Sequence, residues 1–437
     1  MVVNAMPCNC KVCQARNFFQ YESMNPSQLH IFFVQIGLML AVAWLFSYLM
    51  RRMGQPPVLG ELIGGILLGP TLLGTFAPAL YNGLFLQDKA VTTGIDALLK
   101  IGMLFFMFAA GLEVNLVHFR QCRRVIALTS IMGGALPFAL GFGTVFLLPS
   151  LWGQHPWPLL LALFMGTALS ISALPIIARI LMDIQLIDTP IGMTIMTSAM
   201  VNDLIGWTLF ALILGMLETG TTDAHPLALF GQVLALVALI LGLGRWVLQP
   251  LLHKTQFFKD WPGGLLTFLS VLVIVAGTVA DSAGINPIFG AFLVGVALGQ
   301  DDDPGQEKRI HGMIQPFALN FFAPLYFVSV GLKANFYGQF DARLALPLFL
   351  IACLGKILGA GFGARLGGMS WRDAATVGVG LNARGAIEII LASVALEHQL
   401  IDQHIFVALV AMAFATTLIS SPLLHHLAIS RPEQNRH

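Results

Sequence analysis

Apolar stretches near twenty residues long recur along nearly the whole chain, and this recurrence constrains the fold more than any motif. They lie at 29–50, 57–76, 94–112, 125–148, 158–182, 190–217, 226–248, 263–281, 285–299, 312–332, 344–366, 374–396 and 403–428. A helix needs about 20 residues to cross a hydrocarbon core about 30 Å thick. Each stretch therefore reads as one crossing, thirteen in all. In lipid the backbone must satisfy its own polar groups, so segments of this length are helices. Composition agrees: 57% of the 437 residues are hydrophobic and 10% are charged, against about 25% charged in a soluble domain. A soluble enzyme and a nucleic-acid binder are excluded as classes. The net charge of +1 supplies no field for a polyanionic partner. An all-α polytopic membrane protein is expected.

Basic residues give the orientation. Of 23 Lys and Arg, fifteen fall at the ends of odd-numbered spans or in the segments that follow them, and three in loops after even-numbered ones. Lys11 and Arg16 lie in the N-terminal tail, and Lys100, Lys356 and Arg384 lie within spans. The N-terminus is thus expected outside and the C-terminus in the cytoplasm, in a cell (inner) membrane. An even span count would scramble this alternation.

Residues 1–28 are expected to be a disordered tail without a signal-peptide core, with Met24 as an alternative start. Cys8, Cys10 and Cys13 stand there in a C-x-C-x-x-C cluster, but a zinc site needs a fourth ligand and a folded frame. Cys122 and Cys353 fall at or in apolar segments and read as buried thiols. Residues 429–437 form a short cytoplasmic tail, no soluble domain is expected, and no cofactor is implied.

An ionisable residue within a span is costly and marks function by default. Asp203 lies mid-span in the sixth crossing beside Asn202, Lys356 in the eleventh, and Arg384 in the twelfth with Glu388 following. The fifth span carries Thr167, Ser170, Ser172 and Pro175 at similar depth. Proline breaks a helix, and Gly378, Gly380 and Gly385 surround Asn382 and Arg384 in the twelfth span. Paired interrupted spans in two halves point to a secondary-transporter site. Spans five and twelve are seven apart, which fits six-span repeats, about 29–218 and 263–428, joined by a linker helix 226–248. The odd offset makes the repeats inverted. Asp203 either pairs structurally with Lys356 or carries chemistry. Arg384 either handles ions or neutralises Glu388 and caps carbonyls at the break. Asp96 and Lys100 read as an i,i+4 pair, Glu61 and Glu113 as structural, and Asp301–Asp303 as a solvated run.

Several motifs carry a family resemblance. Pro56-Pro57-Val58-Leu59-Gly60-Glu61 with Gly64-Gly65-Ile66-Leu67-Leu68-Gly69-Pro70 resembles the second helix of the monovalent cation:proton antiporter-2 family. Phe105–Glu113 looks like its third-helix signature, and 172–181 followed by Val201-Asn202-Asp203 is similar to the Kef and CHX branches. Phe289–Gly295 and Pro324–Lys333 extend the match over roughly 30–428. The resemblance implies an NhaA-like antiporter fold with two crossing discontinuous helices. It also implies a homodimer, elevator-like alternating access, and an essential carboxylate at Asp203 with Asn202 beside it. The buried lysine of some relatives carries over to Lys356, and the polar residues of the helix crossing to Thr167, Ser170 and Ser172. Electrogenic relatives have two adjacent aspartates; Asn202 in the first position implies electroneutral exchange of one monovalent cation for one H⁺.

In this reading the site holds either a proton or a cation, K⁺ or Na⁺, with Asp203 as the carboxylate and Ser170, Ser172, Asn202 or backbone carbonyls supplying further oxygens. Lys356, Arg384 and Glu388 compensate charge. The rivals are a K⁺ efflux channel, an intramembrane enzyme, which lacks any catalytic constellation here, and an organic-anion carrier anchored by Arg384.

Overall fold

A computed structural model describes residues 25–429 apart from 87–88, 113–122, 154, 173–176, 178–179, 183, 188, 220–225, 255–261, 284 and 300–303. The Cys8/Cys10/Cys13 cluster, Met24, Glu113, Cys122, Pro175, Asp301–Asp303 and residues 430–437 lie outside the described residues. The described residues are nearly all helical. Proline at the first helical position loses no intrahelical donor and presets φ, and it opens seven of the principal helices. These are α1 (Pro26–Arg52), α2 (Pro57–Leu68), α5 (Pro158–Ser170), α6 (Pro190–Thr219), α7 (Pro226–Leu243), α8 (Pro262–Ser282) and α9 (Pro287–Leu298). Between α2 and α5 run α3 (Lys89–Leu112) and α4 (Arg123–Leu147). Then come α10 (Ala323–Lys333, continuous with Pro304–Phe317 through a π-helical turn), α11 (Ala342–Leu366), α12 (Trp371–Leu381), α13 (Ala386–Glu397) and α14 (Gln403–Ile429). The first helix begins at Pro26, three residues before the expected span, because Asn25 and Gln28 close a capping box.

Ten of the described helices are long and apolar enough to cross a membrane. The other three spans read from the sequence appear as shorter pieces: α5, α9 and the interrupted pair α12–α13. The chain is a multi-pass membrane protein.

The helices sort into two bundles with few contacts between them. In one, α1 packs on α2, α2 on α10, α3 on α9, and α8 on α9. In the other, α4 packs on α5 and α11, α11 on α12 and α14, and α6 on α4, α5 and α12. The pairings repeat with the seven-span offset: α1/α2 corresponds to α8/α9, α2/α10 to α9/α3, and α4/α5 to α11/α12. The α4/α11 pair corresponds to itself and forms the closest axis of the second bundle.

Glycine makes that closeness possible. Gly355, Gly359, Gly363 and Gly367 recur every four residues and so line one face of the α11 segment. A Cβ built on Gly359 would lie 2.4 Å from the Met132 carbonyl oxygen, and one on Gly363 2.7 Å from the Thr129 Cα. Small residues let membrane helices approach where apolar burial alone gives no preference for protein over lipid. The first bundle uses the same device, with Gly65 against Gly331 and Gly111 against Gly295. The α4/α11 contact sets Lys356, one residue past Gly355, at the depth of the broken helices.

Candidate ion-binding site

The site is built from two helix ends that meet inside the second bundle. Helix α5 stops at Ser170, and Ile171 turns extended with φ −75° and ψ 153°. The stop falls five residues before Pro175, not at it. Proline disfavours a helix running through it, and the helix has already ended at Ser170. Helix α12 stops at Leu381, residues 382–385 are non-helical, and α13 starts at Ala386. Gly378 and Gly380 sit inside α12 and serve packing, since a Cβ on Gly378 would meet the Ile357 carbonyl oxygen at 2.4 Å. The break itself is Asn382–Gly385.

A helix end leaves four carbonyls without intrahelical partners, and in hydrocarbon each costs several kcal/mol unless satisfied. The cationic side chains go to these groups. Arg384, wholly buried, donates from Nη1 to the Ala168 carbonyl at 3.0 Å and from Nη2 to the Leu169 carbonyl at 2.5 Å. The Lys356 ammonium, also wholly buried, donates to the Ser170 carbonyl. At the other break, Ser172 Oγ donates to the Leu381 carbonyl at 2.9 Å. Thr417 Oγ1 on α14 donates to the Arg384 carbonyl, and Asn382 Nδ2 donates to Ser420 Oγ at 3.2 Å. Arg384 Nη1 also pairs with Glu388 Oε1 at 3.3 Å, one turn into α13.

Asp203 and Asn202 face this crossing from α6, both buried. The backbone N–H of Ser172 donates to Asp203 Oδ1 at 3.3 Å. The Asn202 amide is assigned from its surroundings: its nitrogen donates to the Ser130 carbonyl at 2.9 Å and its oxygen accepts from Lys356 Nζ at 3.2 Å. Lys356 thus binds a carbonyl and an amide oxygen. It attracts Asp203 through space, and among the described residues the two form no ion pair.

The structure brings Asp203, Asn202, Ser170, Ser172, Lys356, Arg384 and Glu388 into one buried cluster. Thr167 stands one turn before the α5 end, with its hydroxyl bonded to the Leu163 carbonyl at 2.8 Å, and the Ser170 hydroxyl turns back to the Thr167 carbonyl at 2.8 Å. Ser170 therefore enters the cluster by its carbonyl. Sequence reasoning missed Ser130, Thr417 and Ser420. Thr416-Thr417 and Ser420-Ser421 in an otherwise apolar span carried a signal for the last two; Ser130 acts by its carbonyl and carried none. Elsewhere, Glu61 is buried and accepts from Ser47 Oγ at 3.2 Å. Asp96 and Lys100 form no ion pair with each other among the described residues; both line a cavity instead.

The charges in the cluster are unequally committed. Arg384 and Glu388 neutralise each other, and Lys356 is held by two neutral oxygens. Asp203 has one long hydrogen bond from a backbone amide, while a carboxylate has about four acceptor positions. It is the anion with capacity to spare, in a place where a bare charge is costly.

Known proteins place this architecture. Residues 37–429 match the model of the family described as sodium/hydrogen exchanger, transmembrane. The chain is 34% identical over 407 residues to the Na(+)/H(+) antiporter NhaS4 of Synechocystis sp., covering 92% of this chain and 98% of that one. It is 32% identical over 422 residues to Cation/H(+) antiporter 18 of Arabidopsis thaliana, covering 95% of this chain and 51% of that one. It thus spans about half the length of the plant relative. The fold matches the sodium proton antiporter MjNhaP1 from Methanocaldococcus jannaschii with a TM-score of 0.67 at 16% identity, covering 92% of this chain and 99% of that one. The match across nearly the whole chain, with the NhaA-like crossing of two interrupted helices, establishes that the chain belongs to the sodium/hydrogen exchanger family.

Proposed function

We propose that the chain is a secondary active transporter, not an enzyme, and exchanges a monovalent cation, K⁺ or Na⁺, for H⁺ at Asp203. The observation that carries this is the spare coordination of the buried Asp203 carboxylate beside two capped helix ends. A proton or a cation satisfies that carboxylate, and both together do not fit one anionic charge. The Ser172 hydroxyl, the Ser170 carbonyl and the Asn202 side chain supply neutral oxygens at the same crossing. Hard monovalent cations are held by oxygens of this kind.

Alternating access follows from the bundle arrangement. The second bundle carries the whole site and touches the first only lightly, so it shifts as a unit and exposes Asp203 to one face at a time. A carboxylate left empty and charged is penalised during the shift. Loaded with a proton or a cation it moves, and that difference couples the two fluxes. With Asn202 neutral, one carboxylate carries one charge in each direction, which makes the exchange electroneutral. Lys356 compensates charge when the cation is absent.

The repeats, about 29–218 and 263–428 around the linker helix 226–248, place the two breaks across a pseudo-two-fold axis. A homodimer in the lipid bilayer of the cell (inner) membrane completes the reading, with the N-terminus outside and the C-terminus cytoplasmic by the distribution of Lys and Arg. The carrier anchored on Arg384 is disfavoured, because its terminal nitrogens already serve Ala168, Leu169 and Glu388. A channel is disfavoured by the single midplane site and the absence of a filter-like carbonyl loop among the described residues.

The test is proton-flux dequenching in everted vesicles on adding K⁺, Na⁺ or Li⁺, for wild type and Asp203→Asn. Cation-triggered dequenching that the variant lacks supports exchange at Asp203 and identifies the ion. Folded wild-type protein that responds to none of the three between about pH 6 and 9 overturns it.

A further inference from the structure

A cavity of about 380 Å³ opens between the two bundles at the end where α10 and α13 finish. The distribution of Lys and Arg assigns that end to the outside. The first bundle contributes Asp96 and Lys100 from α3, Asp281 from the end of α8, and Tyr326 and Lys333 from α10; the second contributes Glu397, the last residue of α13. Tyr326 is buried in the cavity wall. Lys333 Nζ donates to Glu397 Oε1 at 2.7 Å, an ion pair that joins the two bundles.

The Asp203 mechanism uses none of these groups, yet their placement bears on it. Glu397 lies on α13, the half-helix that begins at the break, and stands about 14 Å of helix rise from Glu388. The cavity walls therefore belong to the parts that must move apart, and three carboxylates against two ammonium groups leave the lining net negative, which favours cations. A primary ammonium already sits on Glu397, tethered by the Lys333 stem. It is the same kind of charge as the one arriving.

We propose that this cavity is an outer vestibule for a hydrated monovalent cation, that Glu397 is its capture residue, and that Lys333 is a tethered counter-ion competing with the arriving cation. The proposal rests on the exchange reading. Asp96 and Asp281 add field, partly offset by Lys100, and the Tyr326 hydroxyl is a neutral oxygen in the same wall. Releasing Lys333 from Glu397 does two things at once: it frees the carboxylate for the cation and removes a link between the bundles.

The experiment measures the cation concentration for half-maximal exchange with the cation presented at either face, in right-side-out and everted vesicles. Lys333→Gln is expected to lower that concentration about threefold at the vestibule face, and Glu397→Gln to raise it about threefold, with the opposite face unchanged. An exposed ion pair supports an effect of this size and no larger. The double variant is expected to behave as Glu397→Gln does. Equal changes at both faces, or none, overturn the vestibule while leaving exchange at Asp203 intact. A second measurement does not need transport. With the five native cysteines replaced by alanine, Leu104→Cys places a thiol in the cavity wall. A cationic thiol reagent is expected to outpace an anionic one of equal size at least threefold, the ratio rising with Lys333→Gln and falling with Glu397→Gln. A ratio near one that neither change moves overturns the proposal even if the wild type proves not to exchange cations.

Discussion

Arg384 and Glu388 form a buried i,i+4 ion pair, and the usual expectation is that each exists for the other. The geometry assigns the guanidinium a larger task. It holds Ala168 O at 3.0 Å and Leu169 O at 2.5 Å, both on the last turn of α5, and reaches Glu388 at 3.3 Å, the longest of the three contacts. Those carbonyls form the negative end of the α5 dipole, so they carry part of the compensation for the buried charge. Arg384→Met strands three acceptors. At about 1–3 kcal/mol for each buried group left unpaired, and with membrane references favouring the low end, the loss comes to roughly 3–5 kcal/mol. Glu388→Gln keeps a carbonyl oxygen for the guanidinium and leaves both α5 bonds in place, so it costs about 1–2 kcal/mol. Unfolding in mixed detergent and SDS micelles, followed by tryptophan fluorescence, measures both. A gap of about 2 kcal/mol or more is expected. If Glu388→Gln costs as much as Arg384→Met, the guanidinium serves the carboxylate first, and the capping argument is wrong.

The remaining predictions concern packing and coupling. Gly65→Ala places a Cβ 2.2 Å from the Val328 carbonyl oxygen and 2.8 Å from the Gly331 Cα, whereas Gly37 has nothing within 4 Å. Gly65→Ala should therefore lose about 2 kcal/mol or more in the same SDS titration, while Gly37→Ala should be neutral or slightly stabilising. Asn202→Asp replaces the donor that now serves the Ser130 carbonyl and sets a second carboxylate against Lys356 Nζ. Exchange in liposomes should become sensitive to an imposed membrane potential; a variant that transports at the wild-type rate and ignores the potential contradicts the link between Asn202 and electroneutrality.

Much of this fold was legible in the sequence because lipid restricts the choices. Segment length alone marks the spans, and Pro175 marks the fifth span as an interrupted one. The fourfold spacing of Gly355, Gly359, Gly363 and Gly367 marks a close-approach face, although nothing in the spacing identifies α4 as the partner. Depth counting brought Asp203, Lys356, Arg384 and the span-five hydroxyls to one plane. What it could not give was connectivity within that plane. Residues at equal depth differ in azimuth, and azimuth depends on packing across the bundle. Lys356 therefore reads from the sequence as a partner for Asp203, while in the structure it binds the Ser170 carbonyl and the Asn202 amide. Carbonyl ligands such as Ser130 and Leu381 are invisible for a simpler reason: every residue has one.

The central claim is that one carboxylate holds either a proton or a cation. The most direct test is the apparent cation affinity of purified protein, measured by calorimetry at half-unit steps of pH. Competition for a single site predicts that affinity falls about tenfold per unit as pH drops through the proton-dominated range, that about one proton is released per cation bound there, and that Asp203→Asn binds no cation. Binding that is independent of pH and releases no proton, or that survives in Asp203→Asn, would contradict it.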